Sequence, residues 1–219
     1  MKLLLTSSGL ENQSIIKALS DLLQKPFSES KVAFIPTAAN LEDGDKWWLI
    51  DNLKSLQELK FRSLDIVDIS ALPEKIWKER LNDVDVIFIS GGNTYHLMYW
   101  FNKSGFSKFL PELLKTKIYV GISAGTVVAT PNIVNAEFEK KIVVDTYKNV
   151  NDKGLSLVDF MIEPHINSQY FPEFTFDFVK KESQKFSFPI YAIDDNTAIK
   201  IDGEKLEVIS EGVWKLFEK

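Results

Sequence analysis

Short, nearly continuous apolar runs alternate along this chain with segments whose apolar residues recur every three or four positions. The runs Lys2–Ser7, Lys31–Ile35, Ser63–Ile69, Val84–Ile89 and Lys117–Val120 read as strands. Helical spacing covers Gln13–Leu23, Gly44–Leu59 and Pro73–Leu81. In the second of these, Leu49, Leu53, Leu56 and Leu59 form a core-facing stripe, and in the third Pro73 suits a first turn. Strands alternating with helices predict an α/β fold with a doubly wound, mostly parallel sheet flanked by helices. Val86-Ile87-Phe88-Ile89 is apolar without alternation, as a strand covered on both faces should be.

The rhythm changes after residue 129. Residues 130–156 are polar, with Pro131-Asn132, Asn135 and Asn151-Asp152-Lys153-Gly154, and read as an excursion that shapes or covers a pocket, with a short hairpin near Ile142-Val143-Val144. Phe174–Gln184 is helical in pattern, and Ala198–Ile201, Leu206–Ile209 and Val213–Phe217 read as a short antiparallel C-terminal extension. Without repeats, low-complexity stretches or linkers, residues 1–219 are expected to form one domain.

The chemistry begins at Ile118-Tyr119-Val120-Gly121-Ile122-Ser123-Ala124-Gly125. A buried strand runs into Gly-x-Ser-x-Gly and then a helix of small residues. That order builds a sharp elbow with Ser123 at its tip, its hydroxyl exposed and helix-end amides beside it. A plain glycine-rich turn is the alternative. A serine nucleophile needs a base, and the chain has two histidines, His96 and His165. His165 ends an apolar run behind Pro164, where an α/β sheet opens to its crevice, and is the preferred base. His96 follows Gly91-Gly92-Asn93-Thr94-Tyr95 and is expected on a helix flank, packed or capped.

An imidazole base needs a carboxylate to orient it. Asp194-Asp195 lies between two β-rich runs, and neighbouring residues of an extended chain point apart, so one at most faces His165. Asp195 is preferred, Asp194 is the fallback, and an ordinary Asp-Asn turn is the competing reading. Ser90-Gly91-Gly92 ends another buried strand, where side-chain-free amides of Gly91 or Gly92 could join that of Ala124 in holding an oxyanion. Asn93 and Asn167 are candidate substrate-binding groups, with a local cap or turn as the alternative for each. Trp47 and Trp48 begin a helix near Pro36-Thr37-Ala38, and packing is expected of them rather than a place in the crevice.

Together, Phe34-Ile35-Pro36-Thr37-Ala38, Ser90-Gly91-Gly92-Asn93-Thr94, Gly121-Ile122-Ser123-Ala124-Gly125, Pro164-His165 and the Asp194-Asp195 turn resemble the dipeptidase E (aspartyl dipeptidase) family of serine peptidases, which includes the cyanophycinases. The resemblance implies a fold related to class I glutamine amidotransferases. It also implies a triad in the order Ser123, His165, Asp195, oxyanion amides from Gly91, Gly92 and Ala124, and dipeptides with an N-terminal acidic residue as substrates. A bidentate arginine would hold such a carboxylate best, yet Arg62 and Arg80 are the only arginines and both lie outside the motifs.

The remaining composition narrows the field. Zero cysteines close off disulfides, thiolate metal sites and the cysteine hydrolases that share the elbow. The diglycine sits in a βα turn and no His-Gly-Gly is present, unlike the usual α/β-hydrolase oxyanion loop. A net charge of −5 without a basic cluster gives no general attraction to nucleic acid, and no run approaches a membrane span. Met1-Lys2-Leu3-Leu4-Leu5 is too brief in its apolar part for a signal segment and reads as the first strand. The expectation is a cytoplasmic serine exopeptidase acting on a short peptide, with no cofactor, no metal, no nucleic-acid or membrane partner, and a homodimer left open. A small-substrate esterase or amidase, or a catalytically silent binding protein on the same fold, remain as alternatives.

Overall fold

Alternate residues of the apolar runs enter two separate cores, one on each side of a sheet. The computed structural model describes residues 1–133, 137–148 and 150–219. Its first strands are β1 (Lys2–Thr6), β2 (Lys31–Ile35), β3 (Ser63–Ile66), β4 (Val86–Ile89) and β5 (Ile118–Ile122). Leu3, Leu5, Ala33, Ile35, Ile87, Ile89 and Tyr119 face one core. Leu4, Val32, Phe34, Val86, Phe88 and Val120, their neighbours in sequence, face the other. Helices α1 (Gln13–Leu23) and α2 (Trp47–Glu58) cover the second face through Ile15, Leu19, Leu22 and Leu56. The first face is closed by α3 (Glu74–Asn82), α4 (Thr94–Lys103) and α5 (Phe106–Leu113), through Trp77, Leu81, Leu97, Phe101 and Leu110. Each such side chain contributes roughly 1.5–3 kcal/mol by leaving water.

The rest of the chain adds α6 (Ala124–Val127), α7 (Glu137–Val144), β6 (Met161–Glu163), α8 (Phe176–Ser183), β7 (Ile190–Ile193), β8 (Thr197–Asp202), β9 (Lys205–Ser210) and β10 (Trp214–Phe217). Seven strands form a mixed sheet in the order β3-β2-β4-β5-β1-β8-β9. The first five run parallel, and β8 and β9 continue antiparallel beyond β1. The carboxyl ends of β4, β5 and β1 therefore lie side by side, where an open α/β sheet places its ligand crevice.

A second sheet, β10-β7-β6, was not anticipated from the sequence. The tail segment Val213–Phe217 does not extend the main sheet; its Trp214–Phe217 pairs antiparallel with β7. A third core of Met161, Ile166, Val179, Ile190, Ala192 and Phe217 holds this sheet against α8. The strand expected over Ser63–Ile69 stops at Ile66, because Asp68 turns the chain by accepting bonds from the Ser70 N–H and hydroxyl.

The hairpin expected near Ile142-Val143-Val144 is instead the end of α7. Val143 alone of these three enters the core, and packing against α4 overrides the weak β preference of a short β-branched run. The ends of the excursion are tied by an Asn132–Lys153 bridge and by bonds from Leu155 N to Val128 O and Leu157 N to Ala129 O. Asn135 lies outside the described residues. No helix among the described residues is long and apolar enough to cross a membrane.

Candidate active site

Ser123 sits between β5 and α6 with φ 49° and ψ −109°, a conformation that ordinary L-residues avoid. The flanking glycines make the elbow possible. A Cβ on Gly121 would meet Gly125 O at 2.6 Å, and one on Gly125 would meet Ile89 O at 2.3 Å. Tight packing thus forces the reversal at Ser123. The Ser123 N–H donates to Thr6 O on β1, and Val127 N donates to Ser123 O, so both sides of the strained residue are held.

His165 lies just beyond β6 and is also left-handed, with φ 61°. Its backbone is fixed by bonds from His165 N to Ser7 Oγ at 2.8 Å and from Ser168 N to His165 O at 3.0 Å. Its ring stacks on Phe171, centroids 4.7 Å apart. The ring nitrogens then bridge two chain-distant groups. Nε2 is 2.8 Å from Ser123 Oγ, and Nδ1 is 2.6 Å from Asp195 Oδ1. With Nδ1 protonated toward the carboxylate, Nε2 is an acceptor for the serine proton.

The Asp194-Asp195 turn connects β7 to β8, and the two carboxylates do part company. Asp194 accepts from Thr197 Oγ1 at 2.6 Å, Val213 N at 2.7 Å and Asn196 N at 3.2 Å, and so serves its own turn. Asp195 faces the histidine. Burial pushes its pKa up, but hydrogen bonds from His165, Ser7 and Ser168, with the attraction of the imidazole, outweigh burial and hold the carboxyl below its ordinary range. It is thus the ionised partner an imidazolium needs.

The turn after β4 packs directly against the nucleophile. A Cβ on Gly91 would be 3.3 Å from Ser123 Cβ. Gly92 has φ 124°, and a Cβ there would collide with Ala38 O at 2.4 Å, so only glycine fits. Asn93 N is engaged by Ala38 O. Ala124 opens α6, where a helical N–H has no partner in its own helix.

These groups share a cavity of about 330 Å³ whose lining includes Ser7, Gly92, Ser123, Ala124, His165 and Asp195. Two expectations change here. Trp47 and Trp48, expected to pack, line the cavity, and the Trp47 ring meets Tyr170 at 5.1 Å across its mouth. The excursion at 130–156 contributes no lining among the described residues; its walls come from the loop before α2 and from the 168–174 segment. Neither Asn93 nor Asn167 is in the lining. Asn93 is buried and caps α4 through the His96 N–H, and Asn167 N bonds Phe174 O. His96 is buried too, its Nδ1 2.9 Å from the Tyr147 hydroxyl, and desolvation lowers its pKa. Ser7, Ser168 and Phe171 were missed; in the sequence Ser7 carries no signal beyond its place at the end of an apolar run.

Among the described residues the lining has no lysine or arginine, but it has Glu42, Asp45 and Glu163. Burial raises the Glu42 pKa, Asp43 adds to the rise and Lys46 opposes it. Arg80 is committed to Asp65 at the far edge of the sheet.

The model of peptidase family S51 matches residues 3–209. An uncharacterized peptidase of Listeria monocytogenes serovar 1/2a is 36% identical over 181 residues, covering 80% of this chain and 83% of the relative. Peptidase E of Shewanella oneidensis is 28% identical over 193 residues, covering 85% and 77%. A crystal structure of a protein assigned to Peptidase E from Listeria monocytogenes EGD-e superposes with a TM-score of 0.80 at 26% identity, covering 96% of this chain and 98% of that one.

Proposed function

Because the chain belongs to peptidase family S51 and is a serine-type peptidase, we propose that it is an exopeptidase that hydrolyses short peptides through Ser123, His165 and Asp195. The observation that carries this reading is the unbroken relay of 2.8 Å from Ser123 Oγ to His165 Nε2 and 2.6 Å from Nδ1 to Asp195. Ser123 Oγ attacks the peptide carbonyl carbon while Nε2 takes its proton. The oxyanion is received by the amides of Ala124 and of Gly91 or Gly92, each such donor lowering the barrier by about 2.7–4 kcal/mol. Nε2 returns the proton to the leaving amine. A water, deprotonated by the same nitrogen, then attacks the acyl-enzyme and frees Ser123. Throughout, Asp195 keeps the ring in one tautomer and stabilises the imidazolium.

The size of the cavity suits a short peptide. Its charge weighs against the N-terminal aspartate that the dipeptidase E resemblance implies, since Glu42 and Asp45 would face that carboxylate with no cation among the described lining residues. A neutral or basic first residue fits better. The intact relay favours an active hydrolase over a silent binding protein, and a cytoplasmic setting belongs to this proposal.

The test is hydrolysis of a dipeptide library by wild type and by Ser123→Ala. Cleavage of a subset of dipeptides, lost in the variant, supports the reading. Hydrolysis of simple esters with no dipeptide cleaved moves it to the esterase alternative.

A further inference from the structure

Ser7 stands at the end of β1, fully buried, and nothing in the relay described above requires it. The position is unusual. Thr6 is in register with Ile122 on β5, so Ser7 lies beside Ser123 on the main sheet. His165 follows β6 of the small sheet, and Asp195 lies in the turn that joins β7 of that sheet to β8, the neighbour of β1 in the main sheet. The Ser7 hydroxyl touches both. Its proton goes to Asp195 Oδ1 at 2.8 Å, and its oxygen accepts the His165 N–H at 2.8 Å. A hydroxyl has one proton and two lone pairs, so these two bonds are compatible and orient it fully. Its 3.4 Å approach to Nδ1 is secondary, because the Nδ1 proton has the closer Asp195 oxygen.

We propose that Ser7 is a positioning residue, which pins the base that follows the small sheet and the acid of the β7–β8 turn to the strand beside the nucleophile. It acts twice. Its bond to the His165 N–H holds a left-handed backbone that histidine does not adopt by preference. Its bond to Oδ1 fixes the carboxylate oxygen that Nδ1 uses and takes part of that oxygen's charge. This rests on the serine-hydrolase reading, but not on any peptide preference.

The test measures the rate at which a fluorophosphonate probe labels Ser123, which needs an activated serine and no peptide, together with the pH profile of that rate. In Ser7→Ala labelling should slow about 10- to 100-fold, the loss expected for one hydrogen bond to a charged group. Its acid limb should move to higher pH, because Asp195 loses a donor and its charge bears more fully on the imidazolium. A structural role alone would change the melting temperature and leave that limb in place. Ser7→Cys keeps the shape with a weak donor, and carries the test if the alanine variant does not fold. Ser7→Thr, which restores the hydroxyl, should recover part of the rate. Labelling of both Ser7→Ala and Ser7→Cys at the wild-type rate, with the limb unmoved, overturns the proposal while the triad stands. Failure of wild type to label overturns both.

Discussion

Gly91 and Ser123 face each other across the mouth of the elbow: a Cβ built on Gly91 would lie 3.3 Å from Ser123 Cβ and 3.8 Å from its Oγ. The contact is tight but not impossible, so Gly91→Ala should fold with a melting temperature close to wild type. The nucleophile, however, must move by a few tenths of an ångström. We predict a fall in kcat of about tenfold, because displacements well under 1 Å already cost catalysis. A wild-type kcat in a folded Gly91→Ala protein would separate this turn from the reaction.

The two aspartates of the β7–β8 turn should give opposite phenotypes. Asp195→Asn removes the charge opposite the imidazole and favours the wrong tautomer, and kcat should drop by about 10³–10⁴-fold. Asp194→Asn weakens the bonds to Thr197, Asn196 and Val213 instead. It should cost about 1–2 kcal/mol in urea unfolding while kcat stays within a fewfold of wild type. Exchanged outcomes would reverse the assignment.

Acid should unfold this protein partly through Asp68 and Asp195. Both are desolvated, yet bonds from Ser70, Asn40 and Thr37 to Asp68, and from His165, Ser7 and Ser168 to Asp195, depress their pKa values. A carboxyl whose folded pKa lies below its unfolded value contributes stability that is complete above the unfolded pKa, about 3.9 for aspartate, and is lost as pH falls through the folded one. The urea midpoint should therefore be level near pH 6 and decline below about pH 4. In Asp68→Asn it should start lower and decline less, a difference read directly from paired melts.

Substrate charge is checked with three dipeptides that differ only in the first residue. Ala-X and Lys-X should be cleaved with kcat/KM at least about tenfold above Asp-X, because like charges brought together in the cavity cost about 1.4 kcal/mol or more. Glu42→Gln should narrow that gap by improving Asp-X. Preference for Asp-X in wild type would show that a cation reaches the site by a route the lining does not contain.

The Trp47–Tyr170 contact across the cavity mouth should act on binding more than on chemistry. Trp47→Ala removes an aromatic face worth about 0.5–1.5 kcal/mol, so KM should rise about two- to tenfold with kcat nearly constant. Quenching of tryptophan fluorescence by an uncleaved peptide on Ser123→Ala, reduced in the double variant, gives an independent reading.

What was legible in the sequence was local. The elbow at Ser123 could be read because the strand, both glycines and the small-residue helix lie within a dozen positions. His165 could be read because only one other histidine competes, and His96 turned out buried against Tyr147. The parallel strands could be read because both sheet faces demand apolar residues. Illegible were features made by distant segments. Asp194 and Asp195 could not be separated securely without the dihedral angles of their turn. Ser7 looks like any serine after a strand until β1 is known to lie beside β5. Trp47 and Trp48 resemble core residues until the 168–174 segment arrives opposite them. The β-branched Ile142-Val143-Val144 misled because its intrinsic preference is weaker than the pull of a packed helix face.

The division of the relay between two sheets has a consequence for heat tolerance. Ser123 and Ser7 ride on the seven-stranded body, whereas His165 follows the three-stranded sheet, which has a small core on one face and sends Ile162 and Ile193 into the main core on the other. Sheets that share a core give way together. Warmed gradually, the protein should therefore fall silent within its main calorimetric transition rather than ahead of it, both halves of the machine failing at once.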